Sequence, residues 1–176
     1  MDLQTEIAIS RIQEKDAFAF WTMIEKNKEH IQTYFPKTLN QLYDLASTEE
    51  FVRSKIEEYE TRKGVYFSLK KGGMMIGMVH VKNIDWIIPK GEIAYFIDKD
   101  HQGYGIISYA VSWLVNYCFT EMKLEKIYAR VSPGNLGSKK TLIKNGFRQE
   151  GLLRKDYRDG KGNLTDTEYY GKVKES

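Results

Sequence analysis

The chain has 176 residues, of which 41% are hydrophobic and 29% are charged. A chain of that length buries one core but not two of ordinary size, and the composition is that of a soluble globular domain. Its 27 basic and 24 acidic residues leave a formal net charge of +3, too small to indicate nucleic-acid binding through bulk electrostatics. We therefore expect a single domain over residues 1–176 with no nucleic-acid partner.

Cysteine usage and the first residues bear on the cellular compartment. Cys118 is the single cysteine, which excludes an intramolecular disulfide and a cysteine-rich zinc site. The first ten residues carry acids and no apolar run, and no segment approaches the roughly 20 apolar residues that cross a bilayer. We expect a cytoplasmic protein with no membrane partner. No metal is predicted either, because the histidines, His30, His80 and His101, lack metal-ligand spacing.

Hydrophobic periodicity in the first half predicts a strand, two helices and a strand meander. Residues 6–12 alternate between apolar and polar, which indicates a strand. Asp16 is placed to cap a helix through Ile24, and Ser47 resembles the start of a second helix. Pro36 interrupts the chain between them, where residues 31–46 show no clear pattern. The meander strands are predicted at residues 65–69, 75–81 and 92–97, with a turn at 71–73 and a connection at 85–91.

In the second half of the chain, the spacing of apolar residues alternates between that of helices and that of strands. Apolar residues recur at helical spacing over 106–119, and 135–144 form another amphipathic helix that ends at Asn145 and Gly146. Residues 127–131 alternate as a strand, and the strands 147–153 and 164–173 form a hairpin. These elements predict a mixed α/β domain. They do not predict a Rossmann fold, because too few parallel units are present.

A glycine-containing turn precedes the long helix that begins near residue 106. It consists of Gln102, Gly103, Tyr104 and Gly105. Backbone N–H groups converge at a helix N-terminus, and the helix dipole adds partial positive charge. The turn is therefore a candidate cradle for a phosphate or pyrophosphate. An ordinary strand-to-helix turn explains the same residues equally well.

Several ordered motifs resemble those of the GNAT superfamily of N-acetyltransferases. The run from Gln102 to Ile107 resembles its Q/R-x-x-G-x-G/A pyrophosphate loop, with Ile107 where Gly or Ala is usual. Other runs look like the branch that acetylates the N-termini of ribosomal proteins, and the resemblance covers nearly the whole chain. These runs are Glu92-Ile93-Ala94-Tyr95, Asn135-Leu136-Gly137-Ser138, Asn145-Gly146-Phe147, Glu150-Gly151-Leu152-Leu153-Arg154 and the pair Asp166 and Tyr170.

The resemblance implies a fold, a co-substrate and the residues that bind it. The GNAT fold is a single mixed, mostly antiparallel twisted sheet of about seven strands flanked by about four helices. In it, the strands equivalent to 92–97 and 126–131 splay apart, and the pantetheine arm of acetyl-CoA fills the gap. A branched side chain at position 107 would crowd the pyrophosphate unless it turns into the core. The implied coenzyme A contacts are Phe96, Ile97, Gln102, Gly103, Tyr104, Gly105, Ile106, Ile107, Asn135 and Ser138.

The identity of the amine sets the demand on a catalytic base, because direct acetyl transfer requires a neutral amine. At pH 7, an α-amino group of pKa about 8 costs about 1.4 kcal/mol to deprotonate, whereas a lysine of pKa about 10.4 costs about 4.6 kcal/mol. A carboxylate that acts through water is therefore sufficient for a protein N-terminus.

Three residues are candidates for proton transfer. Asp156, followed by a tyrosine and a glycine turn, resembles a carboxylate of that branch and is the first candidate base; a solvated loop carboxylate is the alternative. Glu92 is the second candidate base, unless it is a salt-bridged edge residue. Ser138, one helical turn after Asn135, is placed by the resemblance near the coenzyme sulfur, where its hydroxyl would protonate the thiolate. The alternatives are a first-turn helix residue for Ser138 and a helix cap for Asn135.

Three functions remain open. The first is acetyl transfer from acetyl-CoA to the N-terminus of a protein, most directly a ribosomal protein. A polyamine or other small-amine acetyltransferase would need convergent carboxylates, for which Glu49, Glu50, Glu57 and Glu58 are candidates. A module that binds acetyl-CoA without turnover is the non-enzymatic alternative. The resemblance also implies a homodimer, although no residue in the sequence requires one. An acetyl-cysteine mechanism is disfavoured, because Cys118 lies on the apolar face of its helix.

Overall fold

The structure is a computed structural model and describes residues 6–175 except for the side chain of Lys37. The strands are β1 (Ile7–Arg11), β2 (Val65–Lys71), β3 (Met74–Asp85), β4 (Lys90–Ile97), β5 (Lys126–Val131), β6 (Arg148–Arg158) and β7 (Leu164–Val173). The α-helices are α1 (Ala17–Lys26), α2 (Lys28–Tyr34), α3 (Pro36–Leu39), α4 (Leu45–Glu60), α5 (Ile106–Thr120) and α6 (Leu136–Lys144). Short 3-10 helices cover Glu14–Asp16 and Lys99–His101. Within this part of the chain, no helix has the length and apolar character needed to cross a membrane.

All seven strands belong to one mixed sheet. Their order across the sheet is β1-β2-β3-β4-β5-β7-β6. Every neighbouring pair is antiparallel except β4 and β5, which are parallel and connected through α5. This arrangement confirms the predicted mixed, mostly antiparallel sheet. It also confirms the predicted helix complement, since α1, α4, α5 and α6 are the helices of nine or more residues.

Two hydrophobic clusters cover the two faces of the sheet. On the first face, α5 and α6 pack against alternate residues of β2 to β5, with Ile93, Leu114 and Leu142 fully buried. On the second face, α1 to α4 pack against the intervening residues, with Phe20 and Met78 fully buried. Because side chains alternate along a strand, consecutive residues of β4 and β5 lie on opposite faces. This alternation decides on which side each candidate site residue lies.

The start of α1 directly after Asp16 agrees with the prediction, whereas the start of α4 differs from it. Helix α4 begins at Leu45, not at Ser47, because Asp44 caps it: Asp44 Oδ1 accepts the Ser47 N–H at 2.7 Å, and Ser47 Oγ accepts the Asp44 N–H at 3.0 Å. The side chain of Asp16 makes no capping bond to α1 and accepts the Gln13 N–H at 3.1 Å. Its other oxygen accepts a bond from Lys70 Nζ at 2.6 Å, which ties the helix start to β2.

Two further segments depart from the sequence prediction. The unassigned segment 31–46 contains the end of α2, all of α3 and the start of α4, and Pro36 begins α3 instead of only interrupting the chain. Strand β6 continues five residues beyond the predicted end at Leu153. Its pairing with β7 shifts register between Leu153 and Tyr157, which marks a bulge. Asp156 therefore lies in a bulged strand and not in a loop.

Candidate functional site

The parallel pairing between β4 and β5 stops part way along both strands. Only Lys90, Gly91 and Glu92 of β4 pair with β5, opposite Lys126, Ile127 and Tyr128. The strands then continue to Ile97 and Val131 without pairing to each other. Main-chain N–H and C=O groups on the facing edges are thus left without strand partners in the middle of the sheet. The result is an opening, with Glu92 at its closed end, that is suited to a ligand containing amide groups.

The N-terminus of α5 follows β4 after a short connection and carries no side-chain cap. Gly105 occupies the N-cap position with a φ of +79°, and Gly103 has a φ of +81°. Both values lie in the left-handed region that favours glycine. The first N–H groups of a 15-residue helix are therefore presented to an anion, together with the positive end of its dipole. Ile106 is buried and Ile107 packs against the core, so the side chain of Ile107 turns away from these N–H groups.

The turn before α5 is held by contacts to the first helices. Gln102 Nε2 lies 2.8 Å from His30 Nε2. The buried Asp98 accepts a bond from Lys26 Nζ at 2.7 Å and lies 3.2 Å from His101 Nδ1. Burial raises the pKa of Asp98, but the bond from Lys26 and other donors outweigh it and keep the pKa below its usual value. The ring of Tyr104 is exposed. These contacts fix the approach to the helix start.

On the first face of the sheet, β4 reaches across the opening to the start of α6. Tyr95 Oη lies 2.9 Å from Ser138 Oγ and donates to the Ser138 carbonyl at 3.2 Å. Asn135 Oδ1 accepts the Ser138 N–H at 3.1 Å and so caps α6. Burial raises the pKa of the Tyr95 phenol, which keeps that group protonated at neutral pH. Two hydroxyl groups thus meet at one side of the opening.

The remaining predicted coenzyme contacts on β4 are Phe96 and Ile97. The ring of Phe96 lies on the second face, 6.2 Å from that of Phe20 and 6.1 Å from that of Phe35. Ile97 is buried in the first cluster. Both side chains therefore belong to the packing, and only the main chain of these residues borders the opening.

On the second face, Glu92 is held by charged and polar donors at the closed end of the opening. It is buried, with 5% of its surface exposed. Arg130 Nη2 lies 3.1 Å from Oε2, and Arg130 Nε lies 3.3 Å from Oε1. Asn83 Nδ2 donates to Oε2 at 2.8 Å. Both carboxylate oxygens are therefore engaged, which is the salt-bridged arrangement that the sequence left open.

Asp156 reaches the same face from the bulge in β6. Lys155 has a φ of +51°, and its N–H donates to Asp166 Oδ1 at 2.8 Å. This backbone turns the next side chain onto the second face, where Asp156 Oδ2 accepts the Thr167 hydroxyl at 2.7 Å. Arg130 Nη1 lies 3.6 Å from the same oxygen. The structure thus brings the two candidate bases together around one guanidinium.

The site includes residues that sequence reasoning missed. Tyr95 was counted only within a motif, and Arg130 and Thr167 were not considered. A signal was present for Arg130, because it is a charged residue between buried Ala129 and Val131 near the end of a strand. The positions of Tyr95 and Thr167 depend on which strands are neighbours, and that pairing is not contained in local sequence patterns.

Other sequence candidates lie apart from this site. Burial raises the pKa of the Cys118 thiol to about 12, so it is a poor nucleophile. Glu57 and Glu58 line a groove of about 560 Å³ together with Lys55, Lys63 and Lys82, whereas Glu49 borders a different hollow beside Arg53. These carboxylates do not converge. Over residues 6–175, no three His, Cys, Asp or Glu side chains are grouped to hold a metal ion.

Comparison with known proteins gives a family and several relatives. A family model described as an acetyltransferase (GNAT) domain matches residues 6–148, most of the chain. YjcK of Bacillus subtilis (strain 168), a probable N-acetyltransferase, is 39% identical over 116 residues, which cover 62% of this chain and 64% of that protein. The chain therefore spans less than two thirds of the length of YjcK.

Two longer alignments are with enzymes whose names state an acceptor. The ribosomal-protein-serine acetyltransferase of Escherichia coli (strain K12) is 25% identical over 151 residues, 84% of this chain and 82% of that protein. The spermidine N(1)-acetyltransferase of Vibrio cholerae (strain El Tor Inaba N16961) is 27% identical over 131 residues, 74% of this chain and 73% of that protein. Both lie at similar levels of identity, so the names alone do not select an acceptor.

The fold is shared with solved structures. The ribosomal-protein-S5-alanine acetyltransferase of Vibrio fischeri superposes with a TM-score of 0.89 over 96% of this chain and 93% of that chain, at 24% identity. At that identity, the similarity extends to the fold. The seven-stranded arrangement described above is thus a fold that this acetyltransferase also has.

Proposed function

The chain belongs to the GNAT acetyltransferase family, and we propose that it transfers an acetyl group from acetyl-CoA to the N-terminal α-amine of a ribosomal protein in the cytoplasm. One observation carries the proposal. Asp156 is paired with Arg130 of β5 on the second face, and Ser138 contacts Tyr95 of β4 on the first face, so the two approach the opening from opposite faces. A proton acceptor and a proton donor are thereby separated by the space that the reacting groups would occupy. The ribosomal-protein-serine acetyltransferase relative supports the choice of acceptor.

The residues present fit acetyl-CoA. The uncapped N-terminus of α5, with Gly103 and Gly105 in left-handed conformations, fits the pyrophosphate. A Cβ atom added at Gly103 would meet no other atom within 4 Å, so the space before the helix is open. The unpaired edges of β4 and β5 fit the amide groups of the pantetheine arm. When bound, acetyl-CoA supplies an activated acetyl thioester.

Asp156 and Ser138 divide the proton transfers between them in this proposal. Asp156 Oδ2 is engaged by Thr167, which leaves Oδ1 to accept a proton from the incoming ammonium group through water. The demand on this carboxylate is modest, because an α-amine costs only about 1.4 kcal/mol to deprotonate at pH 7. On the other face, the Ser138 hydroxyl would donate its proton to the departing coenzyme A thiolate. Tyr95 orients that hydroxyl.

The polyamine alternative is less well supported by the arrangement of charges. A polycation requires several carboxylates that face one another without competing cations. Glu58 is bonded to Lys55, and Lys63 and Lys82 border the same groove as Glu57. Because Glu49 borders another hollow, the four candidate carboxylates do not form one acidic site. The spermidine acetyltransferase relative keeps this acceptor as the second candidate.

The experiment is release of coenzyme A thiol from acetyl-CoA with a panel of amines. The panel comprises peptides with the N-terminal sequences of ribosomal proteins, the same peptides with blocked N-termini, spermidine and free lysine. We expect turnover with at least one free peptide and none with its blocked form. Asp156→Asn and Ser138→Ala should each lower turnover at least about tenfold. Glu125→Gln, which changes a carboxylate in an exposed ion pair with Lys174, is the matched control.

Each other outcome selects a different function. Turnover with spermidine alone would contradict the N-terminal acceptor and support the polyamine alternative. Binding of acetyl-CoA, measured by calorimetry, without turnover on any amine would contradict catalysis and support a binding module. Full activity of Asp156→Asn on a peptide would retain the acceptor and reject the assigned base.

A further inference from the structure

Arg130 lies at a position from which it contacts both candidate bases. It follows Tyr128, the last residue of β5 that pairs with β4, by two residues, so it belongs to the separated part of the strand. Its side chain is 40% exposed and faces the same side of the sheet as Glu92. Burial lowers the pKa of this guanidinium, but the bonds to Glu92 and the nearby Asp156 outweigh it, and the pKa lies above its usual value. Arg130 is thus a permanent cation at the closed end of the opening.

The two carboxylates beside Arg130 are held in different ways. Glu92 is buried and receives donors at both oxygens, from Arg130 at 3.1 and 3.3 Å and from Asn83 at 2.8 Å, with Lys82 at 3.9 Å. A proton on Glu92 would displace at least one of these donors. The side chain of Asp156 is 28% exposed, and among the described residues only its Oδ2 atom has partners. Glu92 is therefore an anchor for Arg130, whereas Asp156 retains one oxygen, Oδ1, that can accept a proton.

We propose that Arg130 is a positioning residue that uses Glu92 as its anchor to hold Asp156 in the orientation required for proton transfer. The bidentate contact to Glu92 fixes the plane of the guanidinium, because a planar fork that binds a carboxylate twice has one orientation. Its third nitrogen, Nη1, then lies 3.6 Å from Asp156 Oδ2, which the Thr167 hydroxyl also contacts. The hydrogen bond from Thr167 and the ion pair with Arg130 meet at Oδ2 and so set the direction of Oδ1.

The inference rests on the proposed function and assigns separate roles to the two carboxylates. Asp156 is the base, and Glu92 acts through Arg130 without accepting the proton. A loss of positioning lowers turnover more than binding, because the acetyl donor is held by other elements, the start of α5 and the strand edges.

The test is a double-mutant cycle on Arg130 and Asp156. Arg130→Met removes the cation with little change in volume, and we expect it to lower kcat about 10- to 100-fold while the KM for acetyl-CoA changes less than about threefold. In the Asp156→Asn background, the same substitution should change kcat less than about twofold, because the residues act as one unit. Glu92→Gln should lower kcat less than Asp156→Asn does. Arg130→Lys, which keeps the charge but lacks the fork, should recover only part of the activity.

The pH profile separates positioning from a general effect on the fold. Asp156 is paired with Arg130, and the other titratable groups around that guanidinium are Glu92, Tyr128, Tyr157 and Tyr169. Among the described residues, Arg130 is the one cation that forms an ion pair with Asp156, so the acid limb of kcat/KM should move to higher pH in Arg130→Met. A defect confined to folding would leave that limb in place. Melting curves of each variant check that the chain is folded. If Arg130→Met does not fold, Arg130→Lys is used for the kinetic measurements.

Several results would overturn the inference. Additive effects of Arg130→Met and Asp156→Asn would mean that Arg130 acts independently of Asp156. A larger loss in Glu92→Gln than in Asp156→Asn, with the acid limb lost in Glu92→Gln and kept in Asp156→Asn, would make Glu92 the base. Unchanged kcat in Arg130→Met would reject any positioning role while the proposed function stands. The cycle is run with whichever amine is turned over, so a different acceptor would contradict the proposed function without affecting this test.

Discussion

Tyr95 and Ser138 join the two sides of the opening, with 2.9 Å between their hydroxyl oxygens. Tyr95 lies on β4 beyond the last residue paired with β5, and Ser138 lies in the first turn of the helix that follows β5. The contact therefore bridges two elements whose strands have already separated. It follows that the orientation of the Ser138 hydroxyl depends on a residue of another strand, in addition to the cap that Asn135 provides.

Removing the Tyr95 hydroxyl should impair turnover through Ser138. We expect Tyr95→Phe to lower kcat about three- to tenfold and the free energy of unfolding by about 1 kcal/mol, the usual net value of one hydrogen bond. In a Ser138→Ala background, the added effect on kcat should be less than about twofold. Steady-state thiol release and denaturant melts measure both quantities. Tyr117→Phe, a hydroxyl change in a ring packed on the first cluster, is the control. If Tyr95→Phe lowered kcat in the Ser138→Ala background as much as it does in the unmodified protein, Tyr95 would not act through Ser138.

The left-handed glycine at the N-cap of α5 should matter for acetyl-CoA. Gly105→Ala places a Cβ at a φ of +79°, and Gly72→Ala does so at +56° in the turn between β2 and β3. Both should lower the free energy of unfolding by about 1 kcal/mol. Only Gly105→Ala should raise the KM for acetyl-CoA, by about fivefold, because about 1 kcal/mol of binding is lost when the helix N–H groups shift. If the two variants had equal KM values for acetyl-CoA, the start of α5 would not belong to the acetyl-CoA binding site.

Ile107 should contribute to stability and not to coenzyme affinity. Its side chain packs against the first cluster, so Ile107→Ala should destabilise the fold by about 2 kcal/mol. The KM for acetyl-CoA should stay within about twofold of the unmodified protein. A KM that falls tenfold in the variant would show that the isoleucine crowds the pyrophosphate, as the comparison with the usual Gly or Ala at this position suggests.

The sequence patterns were sufficient for most of the fold and for only part of the site. The spacing of apolar residues changes to that of a helix at residue 106 and to that of a strand at residue 127, and these changes located α5 and β5 correctly. The alternation of apolar and polar residues over 92–97 located the separated part of β4. Local patterns failed where tertiary contacts decide. The bulge that turns Asp156 toward Thr167 depends on the pairing of β6 with β7, and the sequence suggested a loop there. The roles of Glu92 and Arg130 depend likewise on strand neighbours that are 38 residues apart in the chain.

His80 should make the fold less stable at mildly acidic pH. It is buried against the ring of Tyr66, and its Nδ1 atom has no hydrogen-bond partner among the described residues. Burial, with smaller contributions from Lys82 and Lys55, lowers its pKa well below 6.5. The unfolded chain therefore binds a proton at a pH where the folded chain does not, and stability is lost as the pH falls below 6.5.

The size of this effect follows from the proton linkage. Between pH 6.5 and 5.5, His80 should lower the free energy of unfolding by about 1 kcal/mol. His80→Phe keeps a stacked ring but cannot titrate, so its stability should fall less over the same interval. Denaturant melts of both proteins at the two pH values measure the difference. Parallel pH profiles would mean that His80 is protonated in the folded state or that its charge is accommodated.

The most direct test of the proposed acceptor is the position of the acetyl group on a peptide that offers two amines. The peptide carries a ribosomal-protein N-terminus and one internal lysine, and fragmentation mass spectrometry after incubation with acetyl-CoA locates the added group. We predict acetylation of the α-amine alone, with Asp156→Asn at least about tenfold slower. Acetylation of the lysine side chain, or of neither amine while spermidine is acetylated, would contradict the account.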